Sequence, residues 1–336
     1  MVLPMDVQVI ISRRFAGSRI QIFQAALLCG VLFGVATVPG KLVAQTFVPG
    51  SGQRLTQVGD DFEDEKWSYI ANEPKSSEEN DGQERLPAGH SANGRWGEGL
   101  KRGQPDVVKR VATPPDGIPD SKGSMLLMSL YTGVPGVFSG QTHQDDFICL
   151  VDTRLGRSIP VSRSPSVVAH VYLPAWSKWE RREGNSFCFR AACDAYTQKP
   201  SGRRGLFGGG GMATVLDEYW PGMLFYFHPG DGDKTKDYCT LMVRAGENGA
   251  DFRALDIKEP GWWTLGMSIT PDGQIHYYAH AGVAPLTAQD RIATQTPYGR
   301  RCEHFKCFFF DVLNGDNGNW STPWVVDDCF VYVLEQ

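Results

Sequence analysis

The stretch Trp262–Ala281 is where residue types and spacing come nearest to a reaction. Thr270-Pro271-Asp272-Gly273 reads as a tight turn between two alternating runs. Pairing Ile269 with Ile275 sets Met267 against Tyr277, Leu265 against Ala279 and Trp263 against Ala281 on an apolar face. Ser268, Gly266 and Thr264 then oppose His276, Tyr278 and His280. Imidazoles and a phenol above small residues could floor a groove; a solvated outer face fits the same pattern. By the same alternation, Arg190, His170, Tyr172, Tyr226 and His228 take the non-core phase of their strands. Such a set suits an acidic sugar. A cation such as Arg190 neutralises a uronate carboxylate, His276 removes the acidified proton, and Tyr278 protonates the leaving oxygen. Gln274, His280, His228, Tyr226, His170 and Trp220 are the expected substrate contacts.

Other chemistries fit less well. Glycoside hydrolysis with retention needs two carboxyls about 5–5.5 Å apart. Glu63 and Glu65 are spaced i, i+2 near the chain start, and Asp217-Glu218 fall in a turn-like segment, so neither pair is placed for it. Binding without catalysis would use Trp176, Trp179, Trp220 or Trp262 as stacking faces, although tryptophans also fill cores. Asp61, Asp327 and Asp328, with Glu63, could share a structural calcium, the one cofactor expected. The Asn314–Asn319 turn is rich in oxygen but lacks the spacing of a calcium loop. Gly208–Gly211 has no Lys-Ser/Thr to reach phosphate and reads as a flexible loop near a groove mouth.

These residues need strands to position them. Ser124–Leu130, Ser166–Leu173, Ser186–Ala191, Met223–His228, Thr240–Arg244, Trp262–Ile269, Gln274–Ala281, Phe305–Val312 and Trp324–Leu334 are short runs in which period two dominates. Thirty-eight glycines and 21 prolines supply turns between them. No βαβ rhythm and no repeat of 20–50 residues is present. The expected fold is all-β: a two-sheet antiparallel sandwich with long surface loops, occupying 60–336. Residues 72–122 are polar, yet Trp96, Leu100, Val107, Val108 and Val111 should pin them across the domain surface.

Residues 1–44 read as a signal peptide: Arg13, Arg14 and Arg19, then an apolar stretch to Val38, then Leu42-Val43-Ala44. Residues 45–59 read as a linker. The expected location is secreted or periplasmic, with no membrane contact after cleavage. Seven cysteines follow Ala44, and the C-x4-C pairs Cys188/Cys193 and Cys302/Cys307 could close local disulfides. The formal charge is −5 and becomes −8 without residues 1–44. So acidic a domain does not suit nucleic acid.

Three segments resemble the concanavalin-A-like lectin/glucanase superfamily, the laminin-G-like jelly rolls. They are Asp60-Asp61-Phe62-Glu63 with Trp67, the Gly261–Met267 run with its Asp272-Gly273 turn, and Trp324-Val325-Val326-Asp327-Asp328-Cys329-Phe330-Val331-Tyr332. The resemblance covers about 60–330 and extends to secreted bacterial proteins of this type. It implies a jelly roll whose first and last strands are neighbours. The Glu-x-Asp-x-(x)-Glu strand of the superfamily's hydrolases is absent. Gln274-Ile275-His276 is similar to the Gln-Ile-His of family 7 alginate lyases. Tyr278-Ala279-His280-Ala281-Gly282 echoes their Tyr-x-Lys-Ala-Gly, with His for Lys. Their Arg-Thr/Ser-Glu-Leu segment is missing, and here the two motifs are contiguous rather than on separate strands. The reading is extracytoplasmic glycan recognition, with a polysaccharide lyase as its enzymatic form. A lectin-like module or a structural surface protein are the alternatives.

Overall fold

The computed structural model describes residues 48–334 apart from 205–209, 233, 245 and 247. The expected signal segment and most of the glycine-rich loop lie outside the described residues. The alternating runs form two antiparallel sheets that make a jelly-roll sandwich. The smaller has eight strands, in the order Arg291–Gln295, Ile275–Ala281, Gly261–Ile269, Ser166–Leu173, Trp324–Val333, Ser124–Met128, Val107–Val111, with Gln53–Arg54 also on Trp324–Val333. The larger has eleven, centred on Gly222–His228, Gly184–Arg204, His304–Asn314 and His143–Cys149. The far half of Gly184–Arg204 pairs with Gly210–Tyr219, from Cys193↔Tyr219 to Arg204↔Gly210.

One phase of each strand fills the space between the sheets. Phe187, Phe189, Phe225, Phe227, Phe308 and Phe310 come from the larger sheet, and Val167, Val171, Leu265, Met267, Tyr277 and Val326 from the smaller. Trp324 stacks on Phe187 at 4.6 Å, and Trp96 lies parallel to Phe147 at 4.4 Å. Trp96 is fully buried. Residues 72–122 therefore do more than cross the surface: Trp96–Glu98 pairs with His143–Cys149 and carries its tryptophan into the core.

The chain ends meet as the resemblance implies, though over a short length. Asp60 and Cys329 form one antiparallel bridge, with N–H···O distances of 3.0 and 2.9 Å. Phe62 then turns away at φ +53°. Residues 48–59, expected as a linker, lie against the domain. Gln53–Arg54 pairs with Val333 and Tyr332, the Arg54 guanidinium sits 3.2 Å from the centre of the Phe330 ring, and Pro49 and Val58 are buried.

Neither C-x4-C pair is bridged; all seven described cysteines are free. An odd separation along one strand sends side chains to opposite faces. Cys193 accordingly joins the central core, while Cys188 packs with Leu224 and Leu313 on the outer face.

Candidate functional site

The hairpin has the register expected from its sequence, from Ile269↔Ile275 to Trp263↔Ala281. His276, Tyr278 and His280 do turn away from the core, opposite Ser268, Gly266 and Thr264. They do not floor an open groove. A Cβ on Gly266 would lie 2.5 Å from Leu286 and 2.7 Å from Pro49, because the segments around 49 and 286 are packed onto this face. Tyr278 is fully buried with Val168 and Leu286. His276 Nδ1 is 2.8 Å from Thr294 Oγ1 and its Nε2 is 3.1 Å from Thr270 Oγ1, so both ring nitrogens are engaged. Burial, helped by Arg291, holds its pKa below the usual histidine value. His170, on the same face, is pushed down to about 4 by burial. His280 Nδ1 lies 3.8 Å from Asp290. Gln274 closes the turn, with its N–H on Asp272 at 3.2 Å.

Arg190 does not converge with His276 and Tyr278. It stands on the outer face of the larger sheet, on the opposite side of the sandwich. Tyr226 and His228 share that outer face, and Trp220 follows at the end of Gly210–Tyr219. The four histidine and tyrosine residues of the previous paragraph belong to the smaller sheet. The expected site is therefore two half-sets on two faces.

On the larger sheet's outer face Arg190 has acidic company. Its Nη1 donates to Asp311 at 3.3 Å and its Nη2 to the Trp220 carbonyl at 3.2 Å. Asp311 stands opposite Asp146 on the neighbouring strand. Burial, and then the charge of Asp311, push Asp146 well above the usual carboxylate range, and the two carboxyls share a hydrogen bond. Like charges side by side in a dry site disfavour ionisation of Asp146. Asp311 Oδ1 is buried without a hydrogen-bond donor among the described residues. Gln144 Nε2 donates to Asp146 Oδ1 at 3.1 Å, and Arg102 Nη1 lies 4.0 Å from Oδ2. Gly99 makes this packing possible, since a Cβ there would come within 2.9 Å of Asp146 Cβ.

Arg102 and Gln144 also reach solvent. With Glu79, Thr142, His143 and Leu313 they line a cleft of about 210 Å³. The acid pair thus lies one side chain beneath a polar cleft. Trp220 sits on the same side, its indole N–H on Glu218 at 2.9 Å and the Lys101 ammonium 5.4 Å from its ring centre. Tyr226 and His228 are 4.8 Å apart, and His228 stacks on Tyr238 at 4.3 Å and meets Thr240 Oγ1 at 3.0 Å.

Two of the acidic residues expected to share calcium, Asp327 and Asp61, have protein partners. Asp327 accepts Ser121 and Ser124 hydroxyls, both at 2.9 Å, and Asp61 accepts the Glu63 N–H. Burial pushes Asp327 up to about 7; burial and then Asp61 push Asp328 up to about 6. Among the described residues, no group of three or more His, Cys, Asp or Glu is arranged to hold a metal ion. Trp179 and Trp262, expected as possible stacking faces, are buried. Trp176 is partly buried against the core.

Sequence reasoning missed Asp146 and Asp311. The signal was there: Asp311 interrupts the run Phe308-Phe309-Phe310-Asp311-Val312, and Asp145-Asp146 precede Phe147. A charge inside an apolar strand demands a partner.

No family model matches the sequence. Nor does any curated protein match it. Solved structures do show likeness. One is the alginate lyase from Klebsiella pneumoniae, at 10% identity over 81% of this chain and 95% of that chain, with a TM-score of 0.38. A GH131 β-glucanase catalytic domain from Podospora anserina shows 9% identity over 72% and 80%, TM-score 0.37. The exoplasmic/lumenal domain of VIP36, in its Ca²⁺/Man3GlcNAc-bound form, shows 10% identity over 72% and 85%, TM-score 0.31.

Proposed function

We propose that this protein binds a glycan across the outer face of its larger sheet and that the Asp146–Asp311 pair supplies a proton to it. The observation that carries the reading is the pair itself. Burying two facing carboxyls costs stability unless they are paired and hydrogen-bonded, and perturbed acids beside a cleft mark functional sites. Burial and the neighbouring Asp311 hold Asp146 as the acid, against the opposing pull of Arg102 and of the Gln144 N–H. For hydrolysis, as the glycosidic C–O bond breaks, the Asp146 O–H proton passes to the leaving oxygen; a water oxygen bonds to the anomeric carbon, and the proton that this water loses restores Asp146. Asp311 keeps its hydrogen bond from Arg190 throughout. The earlier assignment of Arg190 to an anionic substrate loses its support, because Asp311 already neutralises that guanidinium. Arg102 at the cleft wall is the cation nearer to solvent.

Incubation with neutral and uronate polysaccharides tests this. New reducing ends without ultraviolet absorbance mean hydrolysis; reducing ends with the absorbance of unsaturated uronates mean elimination. Loss of either in Asp146→Asn supports the pair as acid. Binding without cleavage would favour a lectin-like module, a reading that the deep burial of Arg190 also supports. Export belongs to the same proposal and rests on the basic and apolar pattern of residues 1–44.

A further inference from the structure

The strand His143–Cys149 serves two places. Asp146 faces outward to Asp311, while Asp145 faces inward, where Lys75 Nζ contacts it at 2.5 Å. Lys75 also donates to Asp106 at 2.8 Å and to the Gln104 carbonyl at 3.1 Å, so its three protons are spent. The other Asp106 oxygen accepts the N–H groups of Leu130 and Tyr131 at 2.6 and 2.7 Å. Gln104 clamps the backbone of Asn72 on both sides, at 3.2 and 3.1 Å. This rigid layer floors a pocket of about 430 Å³ walled by Leu130, Tyr131, Pro135 and Trp320.

The rim is aromatic and open. Trp320 is 45% exposed and Phe138 48%, and Tyr131 stacks on Phe138 at 4.6 Å. Asp316 fixes the Phe138 loop by accepting the Ser139 N–H at 2.6 Å and the Gly140 N–H at 2.9 Å. Large aromatic faces held open to water on a fixed base mark a binding surface. The floor decides what fits. Its cation is consumed by two carboxylates, and the remaining charged lining residue is Glu73. An anionic ligand would find no free positive charge there. A flat ring with an apolar face and neutral hydroxyls would find both a stacking wall and an acceptor.

We infer that this end pocket is a subsite for an uncharged pyranose ring, stacked on Trp320 and Tyr131. The inference rests on the glycan reading for its ligand class, not on the acid pair reacting. Gln104, in the floor, is two residues from Arg102, which touches Asp146.

Calorimetric titration with neutral gluco-, manno- and galacto-configured tetrasaccharides, a tetrauronate and a short amino-sugar oligomer tests it. At least one neutral oligosaccharide should bind the wild type. Trp320→Ala should weaken it by about tenfold or more, and Trp320→Phe should restore most of the loss. Because Trp320 is an exposed rim residue, circular dichroism of both variants should match the wild type. Absence of neutral binding, tighter binding of the uronate or amino sugar, or equal affinity in Trp320→Ala would each overturn the inference. If the subsite holds while no polysaccharide is cleaved, only the proton-donor proposal fails.

Discussion

Asp311 stands directly opposite Asp146 across neighbouring strands, and it is the carboxylate that keeps Arg190 in place. From the two strands, His143–Cys149 and His304–Asn314, Phe147, Cys149, Phe308, Phe310 and Val312 turn into the core. Their outer faces therefore concentrate charge where the chain could have packed leucine. Removing one member exposes that cost. Asp311→Ala leaves a buried guanidinium without its counter-charge and should destabilise by about 3–5 kcal/mol. Replacing the pair together, as Asp311→Leu with Arg190→Met, should cost much less. Urea unfolding of the two variants gives the comparison; equal losses would mean that Arg190 finds its stabilisation elsewhere.

The covered face of the smaller sheet makes a different prediction. His276 is buried with its two ring nitrogens on Thr270 and Thr294, the setting of a structural histidine. His276→Ala should lower stability by about 1–3 kcal/mol and leave glycan binding and turnover as they are. A selective loss of turnover with stability unchanged would return His276 to the catalytic list. Gly266→Val should push Leu286 and Pro49 away, at about 1–3 kcal/mol, and speed proteolytic nicking near residue 286.

Asp327 gives the pH dependence its sign. Its folded carboxyl ionises near 7, pushed there by burial, against about 3.9 in an unfolded chain. The neutral form favours folding, so this contribution is complete below about pH 4 and is lost as pH rises through 7. Asp328, at about 6, acts in the same direction. Each lowers stability by at most about 1.4 kcal/mol per pH unit in that window. Asp327→Asn should flatten the decline in melting temperature between about pH 4 and 7. An unchanged slope would show that Asp327 ionises normally.

The thiols are expected to remain thiols. Titration of the unfolded, unreduced protein should find Cys149, Cys188, Cys193, Cys239, Cys302, Cys307 and Cys329 all reactive. Slow reaction in the folded state should follow, since six of the seven are buried. A Cys302–Cys307 bridge in a peptide map would contradict the structure.

What could be read from the sequence was local. The Asp272-Gly273 turn and the alternation on either side fix the hairpin register, because a slip of one residue would move Met267 and Tyr277 out of the core. The two-sheet fold follows from the same alternation repeated. The cover on that hairpin was not legible. It comes from Pro49, remote in sequence, and from Leu286 in the segment that follows the hairpin, and no period records either. Arg190 failed for a related reason. Alternation placed it correctly on an outer face but could not say which sheet's, or that a partner 121 residues away would claim its charge. The aromatic pocket was missed because Trp320 sits in a turn, where no strand phase assigns a direction.

The proton that Asp146 holds beside Asp311 is the central claim, and glycan cleavage as a function of pH tests it most directly. Wild-type activity on a susceptible polysaccharide should fall as pH rises through the elevated ionisation of Asp146. Asp146→Asn should lose about 10²–10⁴ in rate while binding the same oligosaccharides with wild-type affinity and folding normally. Full activity in Asp146→Asn, or a pH profile that it shares with the wild type, would contradict the account.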